Sequence, residues 1–143
     1  ILAGRRLNDN MALYVAAEIA RLMTSRRIHV KGAKVLVLGL TFKENCPDIR
    51  NSKVVDVVRE LEKFGAQVDV HDPWVDSREA KHEYGIKPVK APKARSYDAV
   101  VLAVSHQQFK DLGAAAVRRF GRKNAVVYDI KYLFKADQVD GRL

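Results

Sequence analysis

Lys34-Val35-Leu36-Val37-Leu38-Gly39-Leu40 is an unbroken run dominated by leucine and valine. A strand with one wet face alternates polar and apolar residues, whereas a strand covered on both faces has no need to. The run therefore predicts a buried strand of a parallel sheet. Beyond it the period changes. After a polar loop from Thr41 to Asn51, the residues Val54, Val57, Val58 and Leu61 recur at helical spacing. A helix is expected from a cap at Ser52 to about Phe64, with Gly65 as its stop. Gln67-Val68-Asp69-Val70-His71 returns to strand and is ended by Asp72-Pro73. Strand, helix, strand is one βαβ unit, and its crossover should be right-handed.

The alternation continues toward the C-terminus. Ser77 to Tyr84 reads as a short polar helix ending at Gly85, and Ile86 to Val89 as a short strand. Lys90 to Arg95, with Pro92, is a loop. Asp98 to Val104 is another buried strand, Gln107 to Phe120 a helix stopped by Gly121, and Ala125 to Asp129 a last strand. The tail from Tyr132 to Leu143 is less regular. Upstream, a long helix is expected from Leu7 to Arg27, with Asn8, Asp9 and Asn10 as capping residues. Leu7, Met11, Val15, Ile19 and Leu22 form one apolar stripe on it, and Leu13, Ala16, Ala17, Ala20 and Met23 a second. A helix apolar on two faces should be buried on two sides. The predicted architecture is α/β: a Rossmann-like, doubly wound parallel sheet of about five strands behind one long N-terminal helix. Residues 1–30 form the helical segment and residues 31–143 the sheet domain.

The bulk properties fit one domain. There are 143 residues, and 48% are hydrophobic, enough for a single core. No apolar run approaches the ~18 residues of a membrane span. Ile1-Leu2-Ala3-Gly4-Arg5-Arg6 is apolar then basic, the reverse of a signal peptide, and it lacks an initiator Met, which predicts a fragment or a processed chain. A single cysteine, Cys46, excludes an internal disulfide and fits a reducing, cytoplasmic setting. A net charge of +9 from 26 Lys and Arg favours anionic partners without choosing among them.

Ligands of open α/β sheets bind beyond the carboxyl ends of the strands, so the strand-end loops are the places to read. The first carries Thr41 to Asn51, the second Asp72-Pro73-Trp74, a later one Ser105-His106-Gln107, and the last Asp129-Ile130-Lys131-Tyr132. Gly39-Leu40-Thr41 is not a G-x-G-x-x-G turn, so dinucleotide binding in the usual way is not expected here. Asp72 stands where a ribose-binding carboxylate would sit, but an Asp-Pro turn explains it better. The first loop suits a phosphate: Lys43 supplies an ammonium, Arg50 a bidentate guanidinium, and the following helix its positive end. Equally, Arg50 could pair with Asp48 or Glu44 and pin the loop. Cys46 reads as a packing residue, His71 and His106 as structural hydrogen-bonders, and no histidine has metal-ligand spacing. The residues alone describe a binding domain without a catalytic constellation.

The string Gly39-Leu40-Thr41-Phe42-Lys43-Glu44-Asn45-Cys46-Pro47-Asp48-Ile49-Arg50-Asn51-Ser52 resembles the UDP-glucose/GDP-mannose dehydrogenase family at the start of its C-terminal domain. Arg6 to Met11 resembles that family's central, dimer-forming helix. His71-Asp72-Pro73-Trp74 and Asp129-Ile130-Lys131 match later landmarks in the right order. The variant of the string found here looks like the branch oxidising UDP-N-acetylhexosamines, the N-acetylglucosamine or galactosamine epimers, for surface polysaccharides. UDP-N-acetylmannosamine and UDP-glucose rank lower.

The resemblance implies a two-step, NAD-linked oxidation of the sugar C6 alcohol to a carboxylate. It puts the NAD site and the nucleophilic cysteine on a missing N-terminal domain, so this chain alone is expected to hold no cofactor and to be inactive. It assigns UDP contacts to Phe42 and Lys43, and less directly to Arg50 and Lys131. The adjacent basic residue of some relatives is Tyr132 here. The expected partners are a UDP-sugar, the N-terminal domain and a second copy joined through the N-terminal helix. A nucleic-acid-binding module is the competing reading, motivated by Arg118, Arg119, Arg122 and Lys123, but it lacks aromatic-basic interleaving. A purely structural dimerisation domain is the third.

Overall fold

The computed structural model describes residues 2–143, with side chains from Asn10 onward. A helix, α1 (Leu2–Ser25), leads into β1 (Lys34–Leu38), α2 (Val54–Lys63), β2 (Gln67–His71) and α3 (Ser77–Tyr84). There follow β3 (Tyr97–Leu102), α4 (Gln107–Leu112), α5 (Ala114–Arg118), β4 (Gly121–Asp129), a 3-10 turn at Ala136–Gln138 and β5 (Gly141–Arg142). The five strands form one sheet in the order β2-β1-β3-β4-β5, and every pairing is parallel. The chain leaves β1 in one direction to make β2 and in the other to make β3. The switch point, where such sheets open a crevice, lies between β1 and β3.

The opening run behaves as an inner strand must. Val35, Leu36, Val37 and Leu38 are each fully buried. Val35 and Val37 join the core beneath α1 and α2, while Leu36 and Leu38 join the one beneath α4 and α5. Both faces of the sheet are thus covered, as the doubly wound class requires. α1 contributes Val15, Ala16, Ile19 and Met23 at 1% exposure or less. Burying each of the larger three is worth about 1.5–3 kcal/mol. That core face draws on both stripes read from the sequence, and Leu13 and Tyr14 stay exposed on the other side.

Several expectations need correction. α1 starts at Leu2, so Asn8, Asp9 and Asn10 stand inside it rather than at its cap; the side chains of Leu7, Asn8 and Asp9 lie outside the described residues. Ile86 to Val89 makes no strand. It meets the sheet edge through Val89, whose amide donates to the Val70 carbonyl at 2.8 Å and whose carbonyl lies 2.7 Å from His71 Nδ1. The fifth strand is instead Gly141–Arg142, in the tail that looked irregular. The helix expected over Gln107–Phe120 is two helices, because Gly113 at φ +83° and ψ 158° turns the chain between them. Gly121 opens β4 rather than only stopping a helix. Ser52 does not cap α2. Its hydroxyl donates to the Leu40 carbonyl at 2.5 Å, and Lys53 takes the cap position with no side-chain cap bond.

The tail is fastened by charge. Asp140 accepts from Arg26 at 2.5 Å, from Arg118 at 3.1 Å and from the Val127 amide at 2.8 Å. Burial pushes its carboxyl up, but these donors outweigh burial and hold it below the usual range. Arg122 pairs with Asp98 at 3.0 Å. Two of the four cations that motivated a nucleic-acid reading, Arg118 and Arg122, are therefore engaged within the fold.

Gly39 and Tyr128 give two tests. Gly39 has φ +106°, and a Cβ there would meet the Val104 Cβ at 2.6 Å and its amide nitrogen at 2.8 Å. Gly39→Ala should cost about 2–4 kcal/mol through strain and overpacking, read as a lower urea midpoint by Trp74 fluorescence; an unchanged midpoint would contradict the close packing. The Tyr128 hydroxyl is buried and finds no hydrogen-bond partner among the described residues, and burial pushes its ionisation up to about 12. Tyr128→Phe removes an unpaired polar atom and keeps the ring. It should be neutral or stabilising by up to about 1 kcal/mol in the same titration.

Candidate functional site

The loop after β1 is held at the switch point by one carboxylate. Asp72, at the end of β2, accepts from the Leu40 amide at 2.7 Å, the Thr41 amide at 3.1 Å, the Trp74 amide at 2.8 Å and His106 Nε2 at 2.9 Å. The Asp72 and His106 side chains are both completely buried. Burial raises the Asp72 carboxyl, yet the bonds from His106, Leu40 and Trp74 outweigh it, and the group sits below the usual carboxylate range. The Asn45 amide donates to His106 Nδ1 at 2.9 Å. That nitrogen is then the acceptor, so the ring proton is on Nε2, pointing at Asp72 and at Thr41 Oγ1, 3.1 Å away. The turn reading of Asp72 holds in the Trp74 amide bond. Its larger role is to tie the ends of β1 and β2 to the segment after β3, and its burial leaves nothing to offer a ribose.

Above this network opens a cavity of about 380 Å³. Its floor is the strand ends: Thr41, Phe42, Lys43 and Glu44 after β1, Ala103, Val104 and Ser105 after β3, and Ile130 and Lys131 after β4. Met11, Ala12 and Val15 of α1 wall one side, Lys53, Val54 and Val57 at the start of α2 the other, and Leu143 of the tail reaches in. Phe42 is 59% exposed. Lys43, Lys53 and Lys131 are exposed, and among the described residues the lining carries one acid, Glu44. Buried Asp129 fixes Lys131 by accepting from its amide at 3.2 Å and from the Phe134 amide at 3.0 Å. The arrangement is a half-apolar hollow with a cationic rim, suited to a ligand with a flat ring and a phosphate chain.

Three of the four residues singled out from sequence, Phe42, Lys43 and Lys131, meet in this cavity. Arg50 does not. It lines a separate shallow hollow with Asn51, Ser52, Lys53, Asp56, Glu83 and Tyr84. Its guanidinium is paired with Asp48, Nε and Nη2 each at 3.1 Å from a carboxylate oxygen. Arg50 thereby draws the Asp48 carboxyl below its usual range. The loop-pinning alternative is what the fold contains. Lys53 is the residue that sequence reading missed, because the cap was assigned to its neighbour Ser52. The Asp72–His106 pair was also missed, since nothing local in a sequence links residues 34 positions apart. Among the described residues no three His, Cys, Asp or Glu side chains converge as a metal would require, and no helix is long and apolar enough to cross a membrane.

Residues 36–136 match the UDP binding domain of the UDP-glucose/GDP-mannose dehydrogenase family. The whole chain is 57% identical to a UDP-N-acetyl-D-glucosamine 6-dehydrogenase of Pseudomonas aeruginosa and 54% identical to one of Salmonella typhi, covering 34% of each. It thus spans about a third of the length of these relatives. Among solved structures, a UDP-glucose dehydrogenase from Pyrobaculum islandicum superposes with a TM-score of 0.75 at 29% identity, over 96% of this chain and 30% of that one.

The Asp72 hub makes stability depend on acid. Its folded carboxyl titrates below an unfolded value near 3.9, so its contribution is complete above about pH 5 and lost as pH falls through the folded value. Asp72→Asn should lose about 2–4 kcal/mol at pH 7. The gap between parent and variant should narrow below about pH 4. Urea titrations at both pH values check this, and a gap that widens in acid would refute it.

Proposed function

This chain belongs to the UDP-glucose/GDP-mannose dehydrogenase family, as its UDP binding domain, and we propose that it is the substrate-binding part of an NAD-linked UDP-N-acetylhexosamine 6-dehydrogenase. The observation that carries the reading is the cavity at the switch point, where Phe42, Lys43 and Lys131 stand together at the strand ends. UDP-N-acetylglucosamine is the preferred substrate, supported by relatives named for that sugar at 54–57% identity. Its galactosamine epimer ranks next.

In this reading Lys43 gives its ammonium to the UDP phosphates and Phe42 packs on the nucleotide. Lys131 adds a second cation from across the sheet. Arg50 holds the loop that carries Phe42 and Lys43, through its pair with Asp48. Apolar walls from α1 and α2 exclude water from the ring-binding side. Residues 31–143 form the UDP-sugar domain, and residues 1–30 belong to a central helix. Exposed Leu13 and Tyr14 on that helix support a homodimer joined there. The product serves surface polysaccharide synthesis.

NAD belongs to a domain N-terminal to this chain. The residues here do not fit a dinucleotide: Gly39 is packed against Val104, and α2 begins at Val54, only after the long Thr41–Ser52 loop. A pyrophosphate has no glycine turn on which to approach a helix start. The chain's own contribution is binding and orientation, with the oxidation performed elsewhere.

UDP should raise the unfolding temperature of the purified chain by several degrees at ~100-fold excess over Kd, a stabilisation of about 2.7 kcal/mol. Lys43→Ala should remove most of that shift. The chain given UDP-N-acetylglucosamine and NAD should form no NADH. Turnover by this chain alone would refute the division of labour, and an unchanged shift in Lys43→Ala would remove Lys43 from the site.

A further inference from the structure

We propose that Lys53 is a phosphate-binding residue of the nucleotide cleft, acting together with the start of α2; the proposal rests on the reading of the cleft as a UDP site. Lys53 lines the same cavity as Phe42, Lys43 and Lys131. It is also the one residue shared with the hollow beside Arg50, so it stands on the ridge between the two.

The local electrostatics make its position unusual. Lys53 occupies the cap position of a ten-residue helix, already in helical conformation at φ −74° and ψ −17°. A cation is disfavoured there by the positive end of the helix dipole. The adjoining residue, Ser52, is of the type that caps helices best, yet its hydroxyl is turned inward to the Leu40 carbonyl. The start of α2 therefore has no side-chain cap and carries an ammonium at its cap position, answered only by Asp56 in the first turn, with which Lys53 forms no ion pair within 4.0 Å. Such a choice works against the helix and is offset when an anion sits between the two.

The remaining cations around the loop differ in availability. Arg50 is taken up by Asp48. Lys43, Lys53 and Lys131 form no ion pair within 4.0 Å among the described residues, nor does Glu44. A nucleoside diphosphate brings two or more negative charges to the cavity. Lys43 and Lys53 approach it from two different places, the loop after β1 and the cap position of α2. Two cations on separate elements fix the orientation of a phosphate chain as one cannot. Lys53 is thus a binding and orienting group, with no part in moving a proton or hydride.

The test is equilibrium binding of UDP to the chain by calorimetry, with parallel thermal unfolding. Lys53→Ala should raise the Kd about ten-fold, while Lys53→Arg stays within about three-fold of the parent. Without ligand, Lys53→Ala should unfold at the parent temperature or above it, since a cation is removed from a helix start. Added salt should weaken the parent more than Lys53→Ala, because one screened contact has already gone. Lys34→Ala, which removes the same charge from the start of β1, should leave the Kd unchanged. Equal losses in Lys53→Ala and Lys34→Ala would reduce the effect to net charge and overturn the proposal. A parent that binds, a Lys43→Ala that weakens and a Lys53→Ala that does not would overturn it alone. A parent that leaves UDP unbound would overturn it together with the UDP reading.

Discussion

The buried carboxylate of Asp72 is the constraint on which the working end of this domain depends. It gathers the Leu40 and Thr41 amides, the Trp74 amide and His106 Nε2 around two oxygen atoms. The donors come from three separate segments, and together they join the exits of β1 and β2 to the segment after β3. A buried charge is tolerable only when fully hydrogen-bonded, so the donors cannot shift independently. The loop carrying Phe42 and Lys43 inherits that rigidity. Further out it is set by the Phe42 amide bond to the Asp48 carbonyl at 2.7 Å and by Asn45, which both donates to His106 and accepts from the Gln107 amide.

A second carboxylate does the same for the opposite edge. Asp140 links Arg26 after α1, Arg118 of α5 and the Val127 amide of β4. This anchors a strand only two residues long, Gly141–Arg142, which could not hold itself in the sheet by its own ladder. Close packing assists: Gly141 leaves room for the Tyr128 ring and Leu22, whose atoms would lie 2.8–2.9 Å from a Cβ. Leu143 then reaches the cavity wall, and Tyr132 donates to its carbonyl while Arg142 stacks over the Tyr132 ring at 4.0 Å. The cleft is therefore framed by two carboxylate hubs, one at the switch point and one at the sheet edge.

What could be read from sequence follows the range of the interactions. The β1 run, the amphipathic α2 and the α3 segment, capped by Asp76 and closed by Gly85, are decided by neighbours in the chain, and their type and place were legible. The loop string was legible too, because its residue types are specific. Ile86–Val89 misled, since a short apolar stretch can pack its side chains under an edge as Ile86 does, 8% exposed, without forming a ladder. Ser52 misled because a tertiary acceptor, the Leu40 carbonyl, outcompeted the helix start. Gly141–Arg142 was invisible, since its strand character comes from Asp140 and Tyr128 rather than from its own composition. The role of Arg50 is not decided locally: a single residue separates it from Asp48, and only the folded loop brings the two side chains together.

The excess positive charge of the chain, +9 overall, is a poor guide to its site until pairing is taken into account. Arg26, Arg118 and Arg122 are committed to Asp140 and Asp98, and Arg50 to Asp48. These serve the fold. The three cavity lysines are exposed to water, where two like charges a few ångströms apart repel by only about 1 kcal/mol. An open hollow can therefore hold them cheaply. The same charges gain far more against a phosphate chain that displaces water and lowers the local dielectric, because attraction grows as screening falls. Exposed cations without an ion-pair partner among the described residues, converging on one concavity, thus say more about function than any sum of charge, and in this fold they converge beyond the strand ends on either side of the switch point.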